Sequence, residues 1–319
     1  MRVGLAIVAG VAVLSGTVDS APSRSLGDLV TTLARDSTWN PVASVPMAFK
    51  THHPQGLVRI GDTFVISSVE IRRPTRRVAP AAGHDRDTGE GVGHLLKADS
   101  RGKLIADLRI GEGTIYHPGG IDFDGTHVWV PVAEYRPDSR SIVYRVDPRT
   151  MRAQEVFRVP DHIGAIVHNT DDGTLHGVSW GSRRFYRWTL DPDGGISGGG
   201  GTTERLHTLN PSHYVDYQDC KYAGRRQMLC TGVAGLRRSP EAAPFWLGGI
   251  DLVSLDDGRP VHQAPLLLWT GGGLSMARNA VWLERGDAGL RGYFMPEDDN
   301  STVYVYETKT SRAGQSTPP

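Results

Sequence analysis

Two short passages of this 319-residue sequence set an imidazole and a carboxylate at one fixed spacing. His53-Pro54-Gln55-Gly56 leads to Glu70, and His117-Pro118-Gly119-Gly120 leads to Glu134, each Glu seventeen residues after its His. Between them lie a short strand, a Gly-containing turn and an alternating apolar strand, so both read as copies of one β-hairpin. A hairpin returns its second strand to the end where the first began. His53, Glu70, His117 and Glu134 are therefore expected together on one face, joined by His162 from a looser third copy. Register counted from the turn at Gly224 adds Asp216, with His213 three residues before it.

Imidazoles and carboxylates meeting in a semi-buried funnel are what a metal centre or a general acid–base pair requires. The expected roles are His53, His117, His162, Asp216 and His213 as ligands of one divalent metal, with Glu70 and Glu134 orienting them or serving as base. Neutral imidazoles favour zinc, iron or manganese, and a carboxylate-dominated site favours calcium; the sequence leaves that choice open. The same motif also reads as a turn device, in which Pro sets φ and Gly permits close approach of crowded strands.

Arg72, Arg73, Arg76 and Arg77 follow Glu70. Arg72 and Arg76 are the candidates to grip a substrate carboxylate, sulfate or phosphate. The run equally reads as a solvated loop answering Asp85, Asp87 and Glu90. His168-Asn169-Thr170-Asp171-Asp172-Gly173 resembles the start of a calcium loop but lacks the later Glu, so it is expected to be a hairpin turn on the opposite face. Trp129, Trp180, Trp188 and Trp282 fall in alternating strands and are expected between sheets. No nucleophile elbow, phosphate-binding loop or dinucleotide fingerprint occurs in the sequence.

The elements that must position these residues repeat. Five inner hairpins are each followed by Tyr- or Leu-rich outer strands, as in Ile142–Pro148, Phe185–Pro192 and Ile250–Gly258. Two hairpins make a four-stranded blade, and radial repetition of blades gives an all-β, five-bladed propeller. The fifth blade, with an inner hairpin expected from Leu274, is one strand short. Residues 42–47 can supply that strand and close the ring. Leu26, Leu29, Val30 and Leu33 have helical spacing and are expected on the outside. Residues 71–93 and 236–245 interrupt the repeat, and Gly198–Gly201 is expected to be a flexible outer loop. One domain is expected over 21–308, with a disordered tail at 309–319.

Lys plus Arg and Asp plus Glu both number 35, so no global field draws the chain to nucleic acid or to an anionic membrane. Residues 1–20 read as a secretory signal peptide: one Arg, a short apolar run, then small residues. No later segment is apolar enough to span a bilayer, and a secreted monomer with a small-molecule ligand is expected. Cys220 and Cys230 flank a hairpin centred near Arg225, opposite one another, and export favours their disulfide.

Tyr116-His117-Pro118-Gly119-Gly120-Ile121-Asp122, Val130-Pro131-Val132-Ala133-Glu134-Tyr135, His176-Gly177-Val178-Ser179-Trp180-Gly181 and Tyr217-Gln218-Asp219-Cys220 resemble the motifs of a family of uncharacterised secreted proteins from bacteria and fungi. The resemblance runs from about Trp39 to Glu307. It implies an exported propeller and carries no assigned reaction, so it transfers no catalytic residue. More distantly the blades are similar to propeller lyases, lactonases and nucleotidases with one axial metal, and to quinoprotein-like repeats, whose ligand motifs are not found here. Two functions follow as expectations: a metal-dependent hydrolase or lyase acting on a small anionic molecule, or a non-catalytic module binding a glycan or a protein.

Overall fold

The computed structural model describes residues 24–79, 83–196 and 207–308. The signal peptide, Gly198–Gly201 and the tail at 309–319 lie outside the described residues. Blade I is β2 (His53–Ile60), β3 (Thr63–Arg73), β4 (Glu90–Asp99) and β5 (Leu104–Ile110). Blade II is β6 (Ile115–Pro118) with β7 (Asp122–Phe123), β8 (Val128–Glu134), β9 (Ser141–Asp147) and β10 (Arg152–Val159). Blade III is β11 (Ile163–Asn169), β12 (Thr174–Ser179), β13 (Arg184–Thr189) and β14 (His207–Leu209). Blade IV is β15 (Asp216–Gly224), β16 (Gln227–Leu236), β17 (Phe245–Ser254) and β18 (Pro260–Leu266). Blade V is β19 (Ala280–Arg285), β20 (Leu290–Met295) and β21 (Thr302–Thr308), completed by β1 (Trp39–Pro46).

The five-bladed ring is thus closed by the N-terminal strand, with Trp39 opposite Thr308 and Pro46 opposite Thr302. Inner strands are buried on both faces, as β8 is along its whole length, whereas the outer strand β10 opens with four exposed residues. This gradient follows from geometry, because inner strands face other blades on every side while the outermost strand meets water. Cys220 and Cys230 are directly opposed and form the disulfide, their Cα atoms 4.1 Å apart.

The fold also corrects details. The first strand of blade V starts at Ala280, not Leu274; residues 269–275 instead turn back on themselves through a Trp269–Ser275 bridge. Helix α1 (Leu26–Val30), held by a Ser25/Asp28 capping box, does not lie on the outer wall. It sits at the turn end of the inner hairpins of blades IV and V, where Leu29, Val30 and Leu33 pack with Ala223, Leu229, Val281 and Leu283. Among the described residues no helix is long and apolar enough to cross a membrane.

A buried ionic cluster fills the axis. Asp219 accepts hydrogen bonds from the backbone N–H of Leu57 (2.9 Å), Ile121 (3.1 Å) and Val281 (3.2 Å), in blades I, II and V. Lys221 pairs with the same carboxylate and donates to the Ile121 carbonyl. Asp122 receives the N–H of His168 (3.1 Å) and Tyr222 (3.2 Å), in blades III and IV. Two carboxylates thereby bond the inner strands of all five blades. The backbone crowds here: a Cβ on Gly56 would stand 2.6 Å from the Ile121 nitrogen and one on Gly120 2.8 Å from the Asp219 Cα, which is why the His-Pro-x-Gly repeat needs its glycine.

Candidate functional site in the axial funnel

On the face where the inner hairpins begin and end, a cavity of about 250 Å³ opens on the axis. His53 and Gln55 line it from blade I, His117 and Tyr135 from blade II, His162, Gly164 and Trp180 from blade III, and Asp216, Tyr217 and Gln218 from blade IV. Four of the metal-ligand candidates, His53, His117, His162 and Asp216, therefore share one pocket.

A backbone device recurs around it. The inner hairpins of blades I to IV each slip register near the pocket, between Pro54 and Gly56, Ile115 and His117, Ile163 and Ala165, and Tyr217 and Asp219. Each slip leaves one extra residue on the inner strand, the signature of a β-bulge, which re-aims side chains. Three of these extra residues, Gln55, Gly164 and Gln218, line the cavity.

A one-residue change of register in each hairpin, at Gln55 in blade I and between Pro118 and Asp122 in blade II, explains why Glu70 and Glu134 are absent from it. The seventeen-residue spacing pairs His with Glu only in an unbroken ladder. In the structure His53 opposes Val69 and His117 opposes Ala133. A shift of one residue turns a side chain to the other face of the sheet. Glu134 is buried against Arg136 (2.7 Å), Arg140 (2.6 Å) and Thr114 (2.7 Å). Burial pushes its carboxyl up, but those bonds outweigh it and hold the group below its usual range. Glu70 pairs with Arg72 at 3.0 Å.

Arg73 is taken by Asp87 (2.9 Å) and Glu90 (3.0 Å), and Asp87 also accepts the backbone N–H of Arg76, so Arg73 answers the acids of its own loop. That loop nevertheless reaches the pocket through a residue the sequence did not single out. The Arg86 guanidinium lies over the Trp180 ring, 5.1 Å from its centroid, while paired with Asp85. Trp180 itself stands on a single 3₁₀ turn (Trp180–Ser182) as pocket wall rather than in the inter-blade core, where Trp129 and Trp188 are buried. At the rim, Arg183 donates to Asp216 (2.8 Å) and to Nδ1 of His213 (2.5 Å); His213 is exposed and is not part of the cavity wall.

The imidazoles differ in their partners. His162 Nδ1 lies 2.8 Å from the Glu134 carbonyl oxygen. A carbonyl only accepts, so Nδ1 carries the proton and Nε2 keeps its lone pair. Burial holds the His162 pKa down at about 4. His53 Nδ1 lies 2.7 Å from Asp298, and its Nε2 receives the Gln55 amide at 2.8 Å. His117 is buried and has no hydrogen-bond partner on either nitrogen. Burial, then the neighbouring His162 and His53, keep it neutral far below the usual imidazole pKa. Its ring stacks on Tyr135 at 4.1 Å and stands 6.0 Å from the His162 ring. Among the described residues, no group of three or more His, Cys, Asp or Glu side chains is gathered closely enough to hold a metal ion as the side chains stand.

Solved structures similar to this chain share little identity with it. They include hydrazine synthase of Kuenenia stuttgartiensis (14% identity, TM-score 0.39, covering 79% of this chain and 58% of that one). A luciferin-regenerating enzyme shows 10% identity and a TM-score of 0.46, covering 85% and 95%. The tail fiber of Staphylococcus aureus phage P68 shows 9% identity and a TM-score of 0.46, covering 87% and 54%. The chain thus spans little more than half the length of the first and third. No curated protein matches the sequence. One sequence family does match, over residues 11–311, and with the blades and their repeats in place the chain belongs to it: the family of unknown function DUF6454.

Proposed function

We propose that the axial pocket is a metal-dependent active site, a hydrolase or lyase centre for a small anionic molecule. His53, His117 and His162 would hold the ion, with Asp216 beside them at the rim. The observation that carries this reading is His117, a buried imidazole with two unpartnered nitrogens facing two further imidazoles. Burying an unbonded polar group costs on the order of 1–3 kcal/mol, which a bound ion would recover.

The donors fit in kind: three nitrogen ligands of low charge suit zinc or another first-row divalent ion. Two imidazoles on one tetrahedral ion have ring centres roughly 5 Å apart, against 6.0 Å for His117 and His162, so binding would require these side chains to turn inward. When bound, the ion would supply a Lewis acid and an acidified water. The chain's own residues do the rest. Tyr135 and Trp180 wall the cavity, Gln55 and Gln218 offer amide hydrogen bonds, and Arg86 and Arg183 stand at the mouth in ion pairs with Asp85 and Asp216.

The test is elemental analysis of the natively purified protein, followed by Co²⁺ titration of chelator-treated protein. One equivalent of metal is expected, with uptake abolished in His117→Phe; absence of both native metal and Co²⁺ uptake in folded protein rejects the proposal. One observation favours a second reading, a ligand-binding module without chemistry: Gln55 already occupies the His53 Nε2 lone pair. In that case folded wild type takes up no metal.

A further inference from the structure

Asp298 does not line the cavity, yet it is bound to a residue that does. It follows β20 in the turn before β21, so it belongs to blade V, whereas His53 opens blade I. Its Oδ1 takes His53 Nδ1 at 2.7 Å and Asn279 Nδ2 at 3.2 Å, and its Oδ2 takes Arg278 at 2.9 Å. Arg278 and Asn279 also grip the Pro296 carbonyl, at 2.8 and 3.2 Å. The same two side chains thus fix both the carboxylate and the backbone leading to it.

The backbone on either side of the pair is bent to suit. His52 and Asp299 both adopt the left-handed conformation, each with φ of 58°. Non-glycine residues enter that region at a cost of roughly 1–2 kcal/mol. The Thr51 N–H donates to the Asp299 carbonyl at 2.8 Å, which zips the two bends together.

We infer that Asp298 is a positioning residue that fixes His53, at the pocket wall, as the Nδ1–H tautomer, leaving Nε2 the acceptor that a bound ion would take over from the Gln55 amide. The inference rests on the metal reading above only for its consequence, that His53 is thereby preset as a ligand. A carboxylate accepts and does not donate, so the proton of the His53–Asp298 bond belongs to Nδ1. The amide proton from Gln55 meets Nε2, which requires that nitrogen to be the acceptor. Carboxylate partners of this kind orient metal-bound imidazoles and raise their basicity, and their removal weakens metal binding by 10–100-fold.

Two readouts on full-length Asp298→Ala and Asp298→Asn, with thermal melts as folding controls, test this. In ¹H–¹⁵N spectra of metal-free protein, wild-type His53 is expected as the Nδ1–H tautomer and Asp298→Ala as a mixture. Unchanged tautomer signals in a folded Asp298→Ala overturn the inference whether or not metal binds. In Co²⁺ titration Asp298→Ala should bind 10–100-fold more weakly, and Asp298→Asn, which still accepts a hydrogen bond, by less. If wild type binds no Co²⁺ but the tautomer shifts, the metal reading fails and the positioning role stands. Equal Co²⁺ affinity in wild type and Asp298→Ala overturns the preset-ligand consequence.

Discussion

Two levels of the same axis treat buried polar groups in opposite ways. At the lower level Asp219 and Asp122 bond the backbone of every blade, and Lys221 neutralises them. At the upper level His117 is as thoroughly buried and bonds nothing. Both are built from the beginnings of the same inner strands, so crowding does not explain the difference. A network closed on itself is fastening. A set of side chains with unused lone pairs is not, and under the proposed function it is the place where an ion is held.

The largest expected effect comes from breaking the lower level. Lys221→Met leaves buried carboxylate without a cation and should cost about 3–5 kcal/mol, read in urea unfolding. His117→Phe keeps the stack on Tyr135 and removes two unbonded nitrogens, so its stability should stay within about 1 kcal/mol of wild type. Equal losses in the two variants would erase the contrast. Next, removing the disulfide by Cys220→Ser with Cys230→Ser opens a loop of sequence separation 10 beside Asp219. Loop entropy predicts a loss of about 2–3 kcal/mol, with Co²⁺ uptake at the pocket unaffected if the levels are independent.

The pH dependence is the most discriminating comparison, because the two levels respond to acid with opposite sign. In metal-free protein His162, held at about 4 by burial, refuses a proton that the unfolded chain accepts near its usual 6.5. Its contribution is present in full above pH 6.5 and is lost as pH falls towards 4. Asp122, raised by burial to about 6, is protonated first in the folded state, so its contribution grows as pH falls from 6 towards 4. His162→Gln should flatten the acid-side loss of stability and Asp122→Asn should steepen it, each by up to about 3 kcal/mol, in unfolding measured across pH 4–7.

The sequence was legible where its signals were periodic. The repeated His-Pro-x-Gly hairpins, the opposed cysteines and the closing strand all follow from alternation and turn residues, and the structure has them. The convergence of His53, His117, His162 and Asp216 on one pocket was legible for the same reason. The carboxylate partner was not. A spacing of seventeen residues cannot reveal a bulge, and one extra residue at Gln55 was enough to replace Glu70 by Val69 opposite His53. Trp180 was misassigned because its apolar flank reads as strand, whereas the chain leaves β12 at Ser179 and turns. Asp298 carried no local signal beyond its place at the end of a hairpin, since its partner lies 245 residues away.

The seam between β1 and β21 has a bearing on biosynthesis. Blade V needs residues from both termini, and His53 meets Asp298 across the border of that same blade. A nascent chain can pair the hairpins of blades I to IV, which carry the pocket lining, as they emerge, but His53 lacks its Asp298 partner and blade V its closing pair until residues 298–308 are made. A chain cut before Asp298 or opened at this seam therefore leaves His53 unheld, and the funnel takes its full geometry only when the circle is joined.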